Sequence, residues 1–136
     1  VNLDPDRSRE RFEAARVARL ATVDAGAPHL VPVVFAVDGD TVVIAIDHKP
    51  KARRDVRRLA NIRADPAVSL LVDHYDEDWT KLWWVRADGT AVVVEDPVTM
   101  AAPIDLLVAK YPQYRAIRPA GPVIVVRVDR WRGWAA

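Results

Sequence analysis

Short β-rich runs, each stopped by Asp, Gly or Pro, recur along the whole chain and constrain its fold more than any other feature. Val17–Val23 and His29–Val37 are joined by Asp24-Ala25-Gly26-Ala27-Pro28, and Asp38-Gly39-Asp40 turns the chain into Thr41–Ile46. That succession predicts a meander of three antiparallel strands. Ala67–Tyr75 makes a fourth strand, and the polar connection Asp76-Glu77-Asp78 leads into a fifth, which runs from Lys81 to Val94 and is bent or bulged near Gly89. The two are expected to pair as a hairpin. Val123–Val128 supplies the last strand.

Helical spacing is confined to three stretches between these runs. Asp4 and Pro5 open the first, which carries Phe12, Ala15 and Arg16 on the way to Val17. The second follows Pro50, with Val56, Leu59 and Ala60 on one side and Arg53, Arg54, Arg57 and Arg58 on the other. Asp65-Pro66 stops it, because the residue before a proline is driven out of the helical region. Pro97 to Lys110 is the third, and Tyr111 to Pro122, carrying Pro112, Pro119 and Pro122, reads as an irregular link. Six strands with inserted helices in 136 residues leave too little chain for a sandwich plus a helical layer. The expected fold is α+β and mainly β, a single domain over residues 1–136 built as a closed or split six-stranded antiparallel β-barrel. Alternation is weak in Val42–Ile46 and Ala91–Glu95, so these strands are expected to be buried on both faces, one inside the barrel and one against a helix or a second subunit.

Composition removes several classes of function. The longest apolar stretch, Leu30 to Val37, is eight residues broken by Pro32, far short of the roughly 20 that a spanning helix needs, so no membrane partner is expected. Residues 1–17 alternate acids and bases with no apolar block, so no secretory signal is read and a cytoplasmic location is expected. With no cysteine, disulfides, thiolate catalysis and cysteine-ligated metals drop out. The three histidines lack helical metal-pair spacing, and His74-Tyr75-Asp76-Glu77-Asp78 lacks the glycine and distal glutamate of a calcium loop, so no metal is expected. Neither serine, Ser8 or Ser69, stands in a nucleophile elbow, and five glycines form no dinucleotide or P-loop fingerprint.

Two features remain. The net charge is only +1, yet seven cations lie between Lys49 and Arg63 against the single acid Asp55. Within that segment, Lys49-Pro50-Lys51 stands at a helix start, where the dipole already presents positive charge and a bound phosphate or carboxylate turns repulsion into attraction. A solvated basic helix face is the other reading, and spacing alone leaves both open. The second feature is five tryptophans, Trp79, Trp83, Trp84, Trp131 and Trp134. Trp84 and Arg86 share one strand face. Rings filling the core and a dimer seam, or rings stacked on a planar ligand, both account for them.

Taken together, Pro28-x-x-Val31-Pro32-Val33, Asp38-Gly39-Asp40, Lys49-Pro50-Lys51, Asn61-Ile62-Arg63-Ala64-Asp65-Pro66-Ala67-Val68, Asp78-Trp79 and Asp88-Gly89-Thr90-Ala91 resemble the split β-barrel flavin and deazaflavin proteins related to pyridoxamine phosphate oxidase. Asp78-Trp79-x-x-Leu82-Trp83-Trp84-Val85-Arg86-x-Asp88-Gly89 resembles the actinobacterial F420-dependent group in particular. The resemblance covers essentially the whole chain. It implies a homodimer with two cofactor sites at the subunit seam, the phosphate on Lys49 and Lys51 and the acidic tail toward Arg54. The ring is then expected along Pro32, Val33, Ile46 and Asp47, with Trp79 as a cover. Lys49 departs from the family's commoner arginine, exchanging a planar fork for a point charge.

The function so implied is an F420-dependent oxidoreductase that passes a hydride between the deazaflavin and an unsaturated small molecule, with FMN as the alternative cofactor. The cofactor carries the chemistry and the protein orients it. His74, Tyr75 and solvent are the candidates for a proton donor, and no catalytic side chain is assigned. A cofactor-storage protein without turnover is a rival reading. Nucleic-acid binding by Arg53, Arg54, Arg57 and Arg58 is a third; no nucleic acid is expected as a partner, since the overall balance is not strongly basic.

Overall fold

The computed structural model describes residues 1–46 and 53–136. Among them are eight strands and four α-helices in the order β1 (Asn2–Leu3), α1 (Pro5–Ala14), β2 (Ala18–Asp24), β3 (Ala27–Val33), β4 (Ala36–Asp38), β5 (Thr41–Ala45), α2 (Arg53–Ala64), β6 (Ala67–His74), β7 (Trp83–Val94), α3 (Pro97–Lys110), α4 (Pro112–Ala116) and β8 (Val123–Ala135). All the strands pair antiparallel, in the spatial order β3-β2-β6-β7-β8-β5-β4, with β1 added to β8.

The two ends of this sheet, β3 and β4, are consecutive in the chain and separated only by Val34 and Phe35. The three steps from Val33 to Ala36 reach at most about 11 Å, so the sheet must curl until its edges approach. No ladder joins β3 to β4 among the described residues, and the curled sheet is not closed. The single strand expected over His29–Val37 is therefore two: its first half pairs with β2 and its second with β5, and the three-strand meander gives way to two hairpins. The break has its own support. Phe35, fully buried, donates its N–H to the Tyr111 hydroxyl at 3.1 Å, and that hydroxyl faces the carbonyls of Phe35 at 3.0 Å and Arg16 at 2.9 Å.

The strand count rises from six to eight because β1 and β4 are two and three residues long, too short to carry a period. The last strand runs to Ala135, not Val128, and its second half is charged outside, with exposed Arg130 and Arg132. The expected irregular link also contains α4. The hairpin of β6 and β7 forms as expected, in register from Ala67 opposite Thr90 to His74 opposite Trp83. The irregularity near Gly89 is a register shift against β8, where Asp129 is the extra residue between the partners Arg130 and Val128.

Strand alternation gives the sheet two differently covered faces. Leu20, Val68, Leu70, Val72, Val85 and Ala87 point inward and are buried with Phe12 of α1 and Leu59 and Ile62 of α2. The Phe12 ring lies 4.8 Å from Phe35 and 5.3 Å from Trp131. α1 starts where Asp4 accepts the Arg7 N–H at 2.8 Å and Pro5 occupies the first turn. α3 starts the same way, with Asp96 accepting from the Thr99 N–H and hydroxyl at 2.9 and 2.7 Å. Its Met100, Ile104 and Leu107, at helical spacing, cover Val43, Ala45 and Val123 on the outward face of β5 and β8. The other half of that outward face, on β3, β2, β6 and the first half of β7, has no such helix over it among the described residues.

Candidate functional site

The uncovered half of the sheet holds a groove of about 670 Å³. Its floor follows from the register: Leu30 stands opposite Ala21, Arg19 opposite Leu71, Leu71 opposite Arg86 and Trp84 opposite Trp134. Leu30 is 65% exposed and Leu71 38%, and with Trp84 and Trp134 they make a largely apolar floor open to one side. A continuous exposed apolar surface of this kind marks an interaction site more often than a solvated one.

Charge along the groove is internally matched. Arg86 Nε donates to both Asp88 oxygens at 2.9 and 3.1 Å, and the Ser69 hydroxyl donates to Asp88 at 2.7 Å. Burial pushes the Asp88 carboxyl up, but the Ser69 hydrogen bond and the Arg86 charge, with help from Arg130, outweigh it and hold the group below its ordinary value. Arg19 lies 3.8 Å from Asp73. At the end of the groove His74 stacks on Trp83, ring centres 6.1 Å apart, and the Arg11 guanidinium lies 5.3 Å over the Trp83 ring.

The residues singled out from the sequence divide among several places. Pro32 is exposed on the groove face, opposite Arg19 in the ladder. Val33, next in the chain, points the other way and is buried in the core opposite Ala18. Ile46 is buried too, and its N–H donates to the Pro122 carbonyl at 2.9 Å. Trp79, in a one-turn helix over Trp79–Lys81, is 67% exposed, and its indole N–H reaches the hydroxyl of Tyr75 on the groove wall at 3.4 Å. The turn is held by Asp78, whose carboxyl accepts from the Thr80 hydroxyl and N–H, both of which lower its pKa. Asp47, Lys49 and Lys51 lie outside the described residues, and Arg54 lies in the first turn of α2.

The basic face of α2 is less free than its sequence implies. Arg57 is ion-paired with Asp24 and Arg63 with Glu95 at 2.6 Å, so two of the seven cations meet acids supplied by distant strands. Asn61 is structural: it is buried and donates to the equally buried Thr22 hydroxyl at 3.1 Å, pinning α2 to β2. Sequence reasoning placed Trp84 with Arg86 on one face, as the register has it, but missed Trp134, Leu71 and Arg19 beside them. The period-two pattern Arg130-x-Arg132-x-Trp134 was the available signal.

Several solved structures share this fold. An FAD-binding protein from Mesorhizobium loti superposes with a TM-score of 0.76 at 19% identity, over 98% of this chain and 93% of that one. A conserved hypothetical protein from Mycobacterium tuberculosis gives 0.75 at 23% identity, over 98% and 85%. An FAD-binding protein from Mycobacterium smegmatis gives 0.64 at 16%, over 98% and 94%. Among curated proteins none matches the sequence. The family model for pyridoxamine 5'-phosphate oxidase matches residues 5–135, nearly the full length, and it matches a chain whose sheet splits between β3 and β4 beside an open aromatic groove. This chain belongs to the pyridoxamine 5'-phosphate oxidase family.

Proposed function

We propose that this protein is a homodimeric F420-dependent oxidoreductase acting on an unsaturated small molecule, with its cofactor held at the edge of the open sheet face. The observation that carries the reading is the groove itself: an apolar, tryptophan-lined floor left bare on one half of a sheet whose other half is covered by α3. A flat conjugated ring gains most from such a surface. Lys49 and Lys51 take the phosphate and Arg54 the acidic tail. Pro32 and Asp47 border the ring, with Val33 and Ile46 contributing main chain, since their side chains belong to the core. Trp79, exposed with its indole N–H on the Tyr75 hydroxyl, is the residue that lies over the ring. Bound there, a reduced deazaflavin supplies the hydride. The tryptophans and leucines of the groove keep water from the ring, and Arg86, neutralised by Asp88, adds no free charge near it.

The second reading is a flavin protein that uses FMN or FAD, favoured by the two FAD-binding neighbours. Titration with F420, FMN and FAD, followed by quenching of the five tryptophans, separates the two. Tighter binding of F420 supports the first reading, and tighter binding of FMN or FAD replaces it with the second. Oxidation of bound reduced cofactor no faster with a panel of unsaturated substrates than without them would leave a storage protein instead of an enzyme.

A further inference from the structure

A second pocket, of about 350 Å³, opens between the end of α1 and the end of α3, on the far side of the Phe35 break. Glu13, Arg16 and Lys110 supply its charge, and Ala14, Ala36 and Leu106 its apolar walls. Lys110 reaches across to α1, where its ammonium donates to the Glu13 carbonyl at 3.1 Å and stands 3.9 Å over the centre of the Phe35 ring. Arg16 reaches back, donating to the Lys110 carbonyl at 2.9 Å with its guanidinium 4.7 Å over the Tyr111 ring. Lys110 therefore caps the C-terminal end of α1, Arg16, two residues past α1, caps that of α3, and both line the same small space.

We propose that the Lys110 amine is a covalent binding site for small aldehydes that carry a carboxylate, which it takes up as an imine with the carboxylate on Arg16. The amine is fixed by the Glu13 carbonyl, lies in a pocket, and has a second cation beside it. Burial, and then the charge of Arg16, bring the Lys110 ammonium down to about 8, with the Glu13 carboxylate working weakly the other way. Tyr111, the other titratable group packed here, is pushed up by burial and is occupied by the Phe35 peptide, so it stays protonated and does not compete. The neutral amine is thus available near neutrality, where an ordinary lysine is almost wholly protonated. Arg16 uses one nitrogen on the Lys110 carbonyl and retains donors for an anion.

In the reaction, the Nζ lone pair adds to the aldehyde carbon and the aldehyde oxygen takes up a proton. That oxygen then leaves as water while nitrogen loses its remaining protons and a C=N bond forms. One water is released for each aldehyde bound, and no oxidant or reductant is consumed. Glu13 lines the pocket and its carboxylate charge acts on Lys110, solvent carries the protons between these steps, and the apolar walls favour loss of water.

The test uses glyoxylate and, as a neutral control, acetaldehyde, each trapped with cyanoborohydride at about pH 7.5 and mapped by peptide mass spectrometry. The chain has only four lysines, Lys49, Lys51, Lys81 and Lys110, so the map is short. Glyoxylate should modify Lys110 at least about tenfold faster than Lys81, with a rate half-maximal near pH 8. At Lys110 it should also outpace acetaldehyde by severalfold more than it does at Lys81. Lys110→Arg should keep the melting temperature and lose this adduct alone. Lys110 modified no faster than Lys81 would overturn the site, and equal preference for the two aldehydes at both lysines would remove Arg16 from it. Both outcomes are read on the intact protein without cofactor, so they are independent of the F420 reading.

Discussion

The Tyr111 hydroxyl serves the one place where the chain leaves one sheet edge for the other. It accepts the Phe35 N–H and lies within hydrogen-bond reach of two carbonyls, so its removal leaves a buried peptide unpaired. Tyr111→Phe should cost about 1–3 kcal/mol, read as a lower urea midpoint at unchanged slope. A ring that still packs while the midpoint stays put would mean that water replaces the hydroxyl. Asn61 makes a comparable bond to Thr22 in a buried setting, and Asn61→Ala should destabilise by a similar amount without touching the groove. Lys110 and Tyr111 also give stability opposite slopes with pH. Burial brings folded Lys110 down to about 8 from the ordinary lysine value of 10.5 that it has when unfolded, so between these values the unfolded chain holds more protons and stability rises with pH. Tyr111 is raised above 10.0 when folded, so above that pH the folded chain holds more protons and stability falls. Relative to Lys110→Met, the wild type should therefore gain melting temperature from about pH 8 to 10. A flat difference would show that Lys110 is not desolvated in solution.

At the scale of elements, the β6–β7 hairpin, the cap of α1, the span of α3 from Pro97 to Lys110 and the irregularity at Gly89 were all legible, because each is written in adjacent residues. Gly89 is needed for space: a Cβ there would lie 2.0 Å from the Arg127 carbonyl oxygen, and that atom belongs to the paired backbone. Gly89→Ala should force β7 and β8 apart and cost roughly 2–4 kcal/mol, with the amides paired between the two strands beside the bulge losing exchange protection first. Wild-type protection in that variant would place the bulge elsewhere. What the sequence hid was the division of His29–Val37 into two strands. Both halves are β-rich, and Val33 to Ala36 between them holds no turn residue, whereas the break is decided by Tyr111, 76 residues from Phe35. The groove was half legible for the same reason. Trp84 and Arg86 share a face by local alternation, but Leu71 and Trp134 join them only through pairing. Arg57 and Arg63 looked free until Asp24 and Glu95 arrived from β2 and the end of β7.

For the whole molecule, the coverage of the sheet is lopsided: α3 shields the outward face of β5 and β8, while Leu30, Leu71, Trp84 and Trp134 stay open. A second copy of the chain placed on this face would bury the aromatic surface by two-fold symmetry, each copy presenting the same patch. Such a seam would bring the groove of one protomer against the edge of its partner, and it would make binding of cofactor depend on assembly. Leu71→Glu sets a carboxylate in the middle of the floor, beside Arg19 and Arg86, whose charges are already matched by Asp73 and Asp88. Light scattering should then find a dimer for the wild type and a monomer for Leu71→Glu, and the monomer should bind F420 at least about tenfold more weakly. Lys51→Ala is the complement: under the proposed placement it would remove one charge-assisted contact to the phosphate, so affinity should fall about tenfold or more while the dimer persists. Loss of affinity in Lys51→Ala with a monomeric wild type would keep the phosphate site and discard the seam. A dimeric Leu71→Glu that binds normally would show that the bare face serves some other contact and that the cofactor is held within one chain.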